Sequence, residues 1–416
     1  MKVLVVGQGG REHALVRALK LSPSVDQVHA FPGSAGMGEE AKCHAGSVTD
    51  ATLMIAIVER EKIDLVVVGP EIPLIAGVTD RLRERGIAVV GPSQKAAQLE
   101  GSKIFCKDFL GEAGVKTARS FVVSTVEQTR DATKNFQPPY VLKADGLAAG
   151  KGVFICHTLE ELLEEAKSIF VDRTLGEAGT RALLEEFQPG YEISYLILTN
   201  GKDFEPLPLA QDHKRLLDGD LGPNTGGMGA IAPLKISPEL RRTIDEQIVR
   251  PTLAGFQKRD FYYRGVLFIG LMITAEGPSV LEFNTRFGDP ETQAILPLLQ
   301  GDWGRTFSEL SAGRLERLSW KNQASCCVVL AAEGYPDAPI KGAEIDGLGA
   351  DKNASSYVLH AGVELKNNRW LVSGGRVVNA VGVSESLPQA ITEAYAAAQK
   401  ISFKGQQLRR DIGAKV

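Results

Sequence analysis

The stretch KADGLAAGKG, residues 143–152, is the part of the sequence that points most directly to the fold. It follows the apolar run 141–143, which predicts a strand, and it carries two lysines in a glycine-rich loop. Glycines let the backbone approach phosphate oxygens, while Lys143 and Lys151 neutralise their charge. A Walker A loop needs four residues between its glycines and a Ser or Thr after its lysine. Neither is present, so the stretch predicts a phosphate-covering flap; the alternative is an ordinary flexible loop.

Downstream, the strand 281–284 alternates apolar and polar residues, which places Glu282 and Asn284 on one face. Two oxygen ligands in this arrangement, completed by phosphates and water, suit Mg²⁺ or Mn²⁺. The following residues 285–290 add Arg286, a cation able to clamp an anion. The alternative is an edge strand that turns polar side chains to solvent.

A third group of residues lies between these two segments. The edge of a strand at 184–187 offers main-chain hydrogen bonds to an adenine, and Glu192 is spaced to hold ribose hydroxyls. The alternative is that acids at an exposed strand end are simply solvated.

The run 212–215 places acidic and basic side chains beside the glycine-rich loop 222–229. Such a combination could contact a transferring phosphoryl group and an acceptor, with His213 as a possible general base. The alternative is a solvated charge run.

At the N-terminus, the sequence GQGG, residues 7–10, closes a strand and opens a helix, which favours an anion at the helix start. Arg11 strengthens the prediction of a phosphate. The third glycine of a dinucleotide fingerprint is replaced by Glu12, and the ribose-binding acid is missing after the second strand, so NAD is not expected. The alternative is a purely structural tight turn.

Composition sets outer bounds on function. The 416 residues are 44% hydrophobic, and 47 Lys plus Arg face 51 Asp plus Glu, so neither nucleic acid nor a membrane surface is indicated as a partner. No apolar run approaches the roughly 20 residues of a membrane helix. Five cysteines without C-x-x-C spacing predict reduced, mostly buried thiols. We expect a cytoplasmic protein.

Hydrophobic patterning predicts α/β architecture followed by α+β architecture. We expect a Rossmann-like parallel-sheet domain over 1–101 and a central domain over 102–294, with a flap at about 119–187. A connecting segment, 295–324, leads to a small α+β domain over 325–416. Within that last domain the pattern predicts three strands, with Asn367 and Asn368 in a hairpin turn between them, and a helix at 387–400.

Taken in order, these segments resemble the ATP-grasp fold, and over essentially the whole chain they resemble the phosphoribosylamine–glycine ligase family. The strings that carry the resemblance are GGREH at 9–13, GPE at 69–71, QLEGSK at 98–103, KADGLAAGKG at 143–152, QDHKR at 211–215, GPNTGGMG at 222–229 and FNTRFGDPETQ at 283–293. The resemblance implies that ATP phosphorylates glycine and that 5-phosphoribosylamine attacks the glycyl phosphate, giving glycinamide ribonucleotide, ADP and phosphate.

The resemblance also implies roles for individual residues. The implied ATP-binding residues are Lys103, Lys143, Lys151, Glu185, Glu186, Phe187 and Glu192. The implied substrate-binding residues are Gly9, Gly10, Arg11, Asp212, Asn224, Arg286, Gly288 and Asp289. Lys143, Asp212, Lys214 and Arg286 are expected to be catalytic, and Glu282 and Asn284 to bind Mg²⁺ or Mn²⁺.

One departure and two alternatives accompany this reading. Many ATP-grasp enzymes have an acidic metal ligand about a dozen residues before the Glu282 position, where this chain reads FIGLM at 268–272, so the number of metals stays open. The alternatives are another ATP-grasp carboxylate–amine ligase and a nucleotide-binding oxidoreductase. We expect a monomer.

Overall fold

A parallel sheet forms over the first hundred residues, as the patterning predicts. The computed structural model describes residues 1–147, 152–349 and 355–414. The strands of this sheet are β1 (Lys2–Gly7), β2 (Gln27–Pro32), β3 (Lys42–Cys43), β4 (Leu65–Val68) and β5 (Val89–Val90). They pair in the order β3-β2-β1-β4-β5. The helices are α1 (Gly10–Lys20), α2 (Ala51–Glu61), α3 (Glu71–Ile75), α4 (Val78–Glu84) and α5 (Gln94–Gly101).

Both faces of the central strands β1 and β4 are buried, which is why these two strands are apolar almost throughout. In β1, Val3 and Val5 join the core cluster that contains residues of α1, whereas Leu4 and Val6 join the cluster that contains residues of α2. The period of two along the strand therefore divides one apolar run between two cores.

Serine caps mark the end of this first unit. The Ser93 hydroxyl accepts a hydrogen bond from the Ala96 N–H at the start of α5. The Ser102 hydroxyl does the same for Phe105 in α6 (Lys103–Ala113). The predicted boundary at 101–102 therefore coincides with the junction of two helices.

The segment that contains the glycine-rich loop forms its own antiparallel sheet. Its elements are β6 (Ser120–Val123), α7 (Val126–Ala132), β7 (Tyr140–Ala144), β8 (Val153–Cys156), α8 (Leu159–Phe170) and β9 (Ala182–Glu186). The strand order is β6-β9-β7-β8, and we call this unit the flap. Thr158 and Glu161 have the spacing of a capping box at the start of α8, but the box forms only in part. The Thr158 hydroxyl accepts a hydrogen bond from the Glu161 N–H, whereas the Glu161 carboxylate accepts one from the N–H of His157, one residue before the cap.

The middle of the chain supplies strands to three sheets. Its elements are β10 (Tyr191–Thr199), β11 (Phe204–Pro206), β12 (Gln211–Asp212), β13 (Arg215–Leu217), β14 (Leu221–Asn224), β15 (Gly229–Ala232), α9 (Pro238–Ile244), α10 (Arg250–Lys258), β16 (Gly265–Thr274) and β17 (Gly277–Asn284). Four of them form a sheet of order β11-β10-β16-β17, while β13 and β14 form a separate hairpin. Helices α6 and α10 pack on one face of the four-stranded sheet, and its other face joins the core of the first unit.

The C-terminal part completes a sheet that begins in the middle of the chain. Its elements are α11 (Glu291–Ile295), α12 (Trp303–Ser311), β18 (Ala324–Ala331), β19 (Ile345–Asp346), β20 (Ser356–His360), β21 (Val363–Lys366), β22 (Arg369–Val372), β23 (Arg376–Ser384), α13 (Leu387–Ala398) and β24 (Ser402–Phe403). The strand order is β12-β15-β18-β23-β20. Patterning did not predict β12 or β15, because both are short.

The asparagine turn has different partners from those predicted. Asn367 and Asn368 have φ of 50° and 60°, as a tight hairpin turn requires, but they join β21 to β22. The strands they were expected to join, β20 and β23, pair directly with each other in the larger sheet. The intervening hairpin was missed because each of its strands has only four residues, and half of these eight residues are polar or exposed.

Two general expectations can be compared with the structure. All five cysteines are free thiols, and all but Cys43 are buried, as predicted. Within the described ranges, no helix has the length and apolar character needed to cross a bilayer.

Candidate active site

A cavity of about 860 Å³ lies where the flap, the β10–β17 sheet, the first unit and the C-terminal part meet. Its lining includes Lys143 and Glu185 from the flap, Glu282 from β17, Arg11 from α1 and Arg376 from β23. We call this cavity the cleft. It brings together side chains that are far apart in the sequence.

On the flap side, two lysines share one buried carboxylate. Glu185 on β9 is 2% exposed; its Oε2 lies 2.8 Å from Lys143 Nζ and its Oε1 lies 3.3 Å from Lys107 Nζ. Burial alone would lower the pKa of Lys143, but Glu185 raises it above its ordinary value. Burial dominates at Lys107 and lowers its pKa. The Glu185 side chain therefore holds cations in place, a role that the adenine-edge prediction did not include.

The base of the glycine-rich loop is tied to the start of α6. The Asp145 carboxylate accepts hydrogen bonds from the Ser102 hydroxyl at 2.9 Å and the Ile104 N–H at 3.2 Å, and Arg181 pairs with it at 3.0 Å. Lys103 Nζ donates to the Gly146 carbonyl at 3.1 Å. The start of the loop therefore lies close to Lys103, whereas Lys151 lies outside the described residues.

Glu282 is the focus of positive charge in the cleft. Burial alone would raise its pKa, but Lys214, Lys143, Lys103 and Arg286 together hold the pKa below its usual value. Opposite it across the sheet is Gly270, whose added Cβ would lie 3.3 Å from Glu282 Cγ. The glycine in the unusual 268–272 segment thus leaves room for this carboxylate.

Glu282 and Asn284 fit a divalent cation by the chemistry of their oxygens, although Asn284 Oδ1 also accepts a hydrogen bond from Arg286 Nη2 at 3.0 Å. Among the described residues, no cluster of three or more His, Cys, Asp or Glu side chains is arranged to hold a metal. A metal at this position would therefore take its remaining ligands from nucleotide phosphates and water.

Arg286 is anchored by two carboxylates from the first unit. Its Nη2 lies 2.8 Å from Glu100 Oε1, and its Nε lies 3.5 Å from Glu71 Oε2. Burial raises the pKa of Glu100 in spite of Arg286. Burial also acts to raise the pKa of Glu71, but Arg286 and Arg11 lower it. The guanidinium is thus held rigidly beside the Glu282 face of β17.

On the opposite side, two buried carboxyl groups lie close to Lys214. Burial and the neighbouring Glu291 raise the pKa of Asp212 well above its ordinary value, and burial also raises the pKa of Glu291. Glu291 Oε1 accepts a hydrogen bond from the Ser194 hydroxyl at 3.0 Å, while Asp212 Oδ1 is buried with no hydrogen-bond partner. A pair of buried carboxyls with an open acceptor is suited to bind an ammonium group.

Lys214 bridges the two sides of the cleft. Its Nζ lies 2.9 Å from Glu192 Oε2. Burial alone would lower its pKa, but Glu192, Glu282 and Asp212 together raise it. Its neighbour His213 is buried, with Nδ1 3.3 Å from the Gly229 carbonyl and Nε2 accepting from the Gly413 N–H at 3.1 Å. Both ring nitrogens are engaged in structure, which argues against the general-base alternative.

A second cavity, of about 390 Å³, opens beside the cleft. It is lined by Gly9 and Gly10, and it shares Asp289 and Arg376 with the cleft. Both amide atoms of Asn379, which is 1% exposed, lack hydrogen-bond partners here. Unpaired buried polar atoms are rare in proteins, and they mark a place where a ligand or water completes the bonding.

The glycine-rich turn is partly occupied by its own helix. Glu12 Oε2 accepts from the Gly9 N–H at 2.8 Å, and its Oε1 lies 2.5 Å from Arg11 Nε. A Cβ at Gly7 or Gly69 would overlap the Glu12 side chain. The residue that replaces the third fingerprint glycine therefore fills the space against the turn.

The remaining predicted residues lie outside the lining of both cavities. Glu186 pairs with Arg119 at 2.6 Å, Phe187 is 38% exposed, and Glu192 reaches the cleft only through Lys214. Asn224 ends β14, and Gly288 precedes α11.

Sequence reasoning assigned no role to several residues that line the cleft. They are Glu71, Glu100, Lys107, Glu291, Tyr335 and Arg376. Glu71, Glu100 and Glu291 stand in the quoted strings, so a signal for them existed. For Tyr335 and Arg376 there was none, because their position depends on the long-range pairing of β18 with β15 and β23.

Comparison with known proteins gives a consistent result along the chain. Three family profiles match: the N domain of phosphoribosylglycinamide synthetase over residues 1–100, its ATP-grasp (A) domain over 101–292 and its C domain over 325–415. A phosphoribosylamine–glycine ligase from Ralstonia nicotianae is 42% identical, with 99% of each chain covered.

Solved structures are also similar. A phosphoribosylamine–glycine ligase from Thermotoga maritima has a TM-score of 0.88 and 37% identity, with 99% of this chain and 100% of that chain covered. The biotin carboxylase domain of 2-oxoglutarate carboxylase from Hydrogenobacter thermophilus has a TM-score of 0.76 at 19% identity, covering 98% and 91%. The second likeness concerns the ATP-grasp fold alone.

Proposed function

The chain belongs to the phosphoribosylglycinamide synthetase family, and from that premise we propose how its cleft carries out the reaction. It is an ATP-dependent ligase of purine biosynthesis that joins glycine to 5-phosphoribosylamine. Membership in this family decides against the oxidoreductase and the sister-ligase alternatives.

We propose that ATP lies between the flap and β17. Lys143, held by Glu185, and Lys103, held at the base of the flap loop, would neutralise the phosphates. Glu282 and Asn284 would hold Mg²⁺, which would supply positive charge to neutralise the phosphates. Lys151 lies outside the described residues, so its place in this proposal rests on the family resemblance alone.

Glycine is proposed to bind on the opposite side of the cleft. Its ammonium group would lie between Asp212 and Glu291. The pKa values of these buried carboxyl groups are raised in spite of the nearby Lys214, so an added cation would stabilise their ionised forms. Its carboxylate would then point toward Lys214 and the terminal phosphate. One carboxylate oxygen attacks the γ-phosphorus, ADP leaves, and glycyl phosphate forms, with Lys214 and Arg286 opposing the charge that develops.

5-Phosphoribosylamine is proposed to place its phosphate in the smaller cavity. Gly9, Gly10 and the unpaired amide of Asn379 line that space, while Arg11 faces the cleft. Arg376 and Asp289, which pair at 2.9 Å, stand between the two cavities. The amine would then attack the acyl carbon, the amide C–N bond would form, and phosphate would leave as the amine loses a proton.

The observation that carries this assignment is the polarity of the cleft. Cations converge on Glu282 on one side, and the underpaired carboxyls of Asp212 and Glu291 lie on the other. A phosphate donor and an amino acid acceptor have the matching charges. Asn224, Gly288, Glu186 and Phe187 have no comparable support from the cavities, and their roles rest on the resemblance.

The test is ADP release from ATP and Mg²⁺, with glycine and with phosphoribosylamine generated from ribose 5-phosphate and ammonia. Each component is left out in turn. We expect turnover only when all are present. ADP release that needs neither glycine nor the ribosylamine would overturn the proposed arrangement of acceptors.

A further inference from the structure

The C-terminal tail, residues 402–414, runs back to the hairpin formed by β13 and β14. Within it, Arg409 is completely buried. Its Nε and Nη2 lie 2.7 Å from the two oxygens of Asp411, and its Nη1 lies 2.7 Å from Asp220 Oδ1 and 3.3 Å from the Arg215 carbonyl oxygen. Burial alone would lower the pKa of Arg409, but its hydrogen bonds to Asp411 and Asp220 raise it.

Backbone groups reinforce this contact. The Arg410 N–H donates to Asp218 at 2.7 Å, and the Gly219 N–H donates to Asp411 at 2.8 Å. The Gly413 N–H donates to His213 Nε2 at 3.1 Å. The tail and the hairpin are thus joined by a continuous set of polar bonds, with Arg409 at its buried centre.

Apart from these bonds, the described side chains at the tip of the hairpin are largely exposed. Leu217 and Leu221, at its tip, are 50% and 63% exposed. Apolar burial therefore contributes little to its position, and the bonds to the tail supply the constraint.

The same hairpin carries Lys214 into the cleft. Lys214 directly precedes β13, and its carbonyl oxygen accepts hydrogen bonds from both the N–H and the hydroxyl of Thr225, each at 2.8 Å. The position of the Lys214 ammonium group thus depends on the base of the hairpin. Arg409 donates a hydrogen bond to the carbonyl oxygen of the next residue there, Arg215.

Resting on the role proposed above for Lys214, we infer that Arg409 is a positioning residue of the ligase. Its guanidinium fastens the β13–β14 hairpin to the C-terminal tail and so orients Lys214 toward the phosphoryl group. Arg409 is not among the described residues that line the cleft. It acts through another residue and from the far end of the chain.

The experiment compares Arg409→Gln, Asp220→Asn and Arg410→Gln in the full chain. Arg410→Gln is the matched control, because it removes the same charge from the neighbouring residue, whose side chain is exposed. We expect Arg409→Gln to lower kcat by about tenfold, with KM for ATP unchanged, because the flap side of the cleft is intact. The contacts of Arg409 with Asp220 and Asp411 are called the clamp. Asp220→Asn weakens only its contact with the hairpin and leaves the Arg409–Asp411 pair, so it tests the same link if Arg409→Gln does not fold.

Two further measurements separate positioning from general stability. Hydrogen exchange of peptides covering 211–226 should accelerate in Arg409→Gln and Asp220→Asn but not in Arg410→Gln. In a Lys214→Ala background, Arg409→Gln should lower kcat no further. Full kcat in folded Arg409→Gln and Asp220→Asn, or an undiminished additional loss in the Lys214→Ala background, would overturn the inference. Wild-type kcat in Lys214→Ala alone would instead refute the proposed role of Lys214, while the exchange data would still report on the clamp.

Discussion

At the scale of single residues, the cleft is governed by how far each charge is balanced by its neighbours. Glu282 has an excess of cations around it, whereas Asp212 and Glu291 have a deficit. Two of the cations near Glu282 also have carboxylate partners of their own, Lys143 with Glu185 and Arg286 with Glu100. Anionic phosphates should therefore bind most favourably beside the cations around Glu282, and an ammonium group beside Asp212 and Glu291. Each of these two places leads to a prediction.

The first prediction concerns the proposed metal ligand. Glu282→Gln should raise the Mg²⁺ concentration for half-maximal ADP release by about tenfold or more, because one anionic oxygen ligand is lost. Glu276→Gln is the control, since it makes the same change on the exposed turn between β16 and β17. An unchanged Mg²⁺ dependence in Glu282→Gln would remove this residue from the metal site.

The second prediction concerns the paired carboxyl groups. Glu291→Gln keeps the side-chain shape but halves the negative charge facing the proposed ammonium, so KM for glycine should rise by about tenfold while KM for ATP stays constant. Because the pKa values of Asp212 and Glu291 are raised, the pair loses charge at a higher pH than ordinary carboxyl groups do. KM for glycine should therefore increase as the pH falls, and this dependence should be weaker in Glu291→Gln.

The steady-state rate as a function of glycine concentration, measured at several pH values, checks this. An equal rise of both KM values would indicate a general distortion of the cleft. An unchanged KM for glycine would exclude Glu291 from binding the ammonium group.

The sequence could predict those parts of the site in which the functional residues lie close together along the chain. Glu282 and Asn284 were placed on one face by strand periodicity, and they do line the cleft together. Arg376 could not be found in this way, because it enters the cleft from a strand more than ninety residues later along the chain. Glu185 was recognised, but its pairing with Lys107 and Lys143 depends on the register of β9 against its neighbours.

At the scale of elements, an edge of the parallel sheet depends on two neutral histidines. His29 on β2 and His44, just after β3, lie in contact: Nδ1 of His29 is 2.9 Å from Nε2 of His44, and the rings are stacked. Burial is the main cause that lowers the pKa of His29 to about 4, and the neighbouring His44 is the second. Burial also lowers the pKa of His44.

This arrangement predicts an acid-sensitive edge. The ordinary histidine pKa of about 6.5 applies when the chain is unfolded, so the unfolded state takes up protons first as the pH falls. The stabilising contribution of neutral His29 is complete above about pH 6.5 and should be lost progressively between about pH 6.5 and pH 4, by up to about 1.4 kcal/mol per unit of pKa difference.

Urea unfolding of the native chain and of His29→Gln at pH 7, 6 and 5 measures this contribution. The free energy of unfolding should decline less steeply in the variant. Parallel declines in the two proteins would show that other groups, and not His29, cause the acid sensitivity.

Local sequence signals were sufficient for most elements and failed at two kinds of place. Long apolar runs such as β4, and serine-capped helices such as α5, carry their signals within a few consecutive residues. Short strands whose pairing partner is distant, such as β12 and β15, carry too few residues to show a period. The asparagine turn was recognised because its left-handed backbone is a local requirement, whereas the choice of strands it joins is not.

At the scale of the whole molecule, the apolar clusters show which parts are held together. One cluster contains Val5 of β1, Leu196 of β10, Cys327 of β18 and Val381 of β23, so the first unit, the central sheet and the C-terminal part share a core. The flap has a separate cluster, which includes Leu142, Leu162 and Leu184.

This division predicts that the flap opens or unfolds without the rest. Backbone amides of β7 and β9 should exchange hydrogen at a lower free energy than those of β1 and β18, because fewer apolar contacts hold the flap in place. ATP with Mg²⁺ should raise flap protection selectively, since it is proposed to contact both flap and body.

Hydrogen exchange followed by mass spectrometry, with and without nucleotide, makes the comparison. ADP with Mg²⁺ is a useful control, because it lacks the γ-phosphate that is proposed to be transferred. Equal protection of β7 and β1 in the nucleotide-free protein would contradict an independent flap.

Sequence patterning divided the chain into consecutive domains, but the sheet of order β12-β15-β18-β23-β20 crosses the predicted boundary at 325. Two of its strands come from before residue 233 and three from after residue 323. Pairing over such distances leaves no mark on local composition, so it could not be read from the sequence.

That shared sheet has a consequence for the time at which the protein becomes active. A ribosome completes the flap, the proposed metal ligands and Lys214 well before it reaches Arg376 and Arg409. Until β23 joins the sheet and the tail reaches its hairpin, the growing chain holds the nucleotide side of the cleft without the wall that closes it. Ligase activity should therefore arise only after Arg376 and Arg409 have been synthesised and have joined the fold.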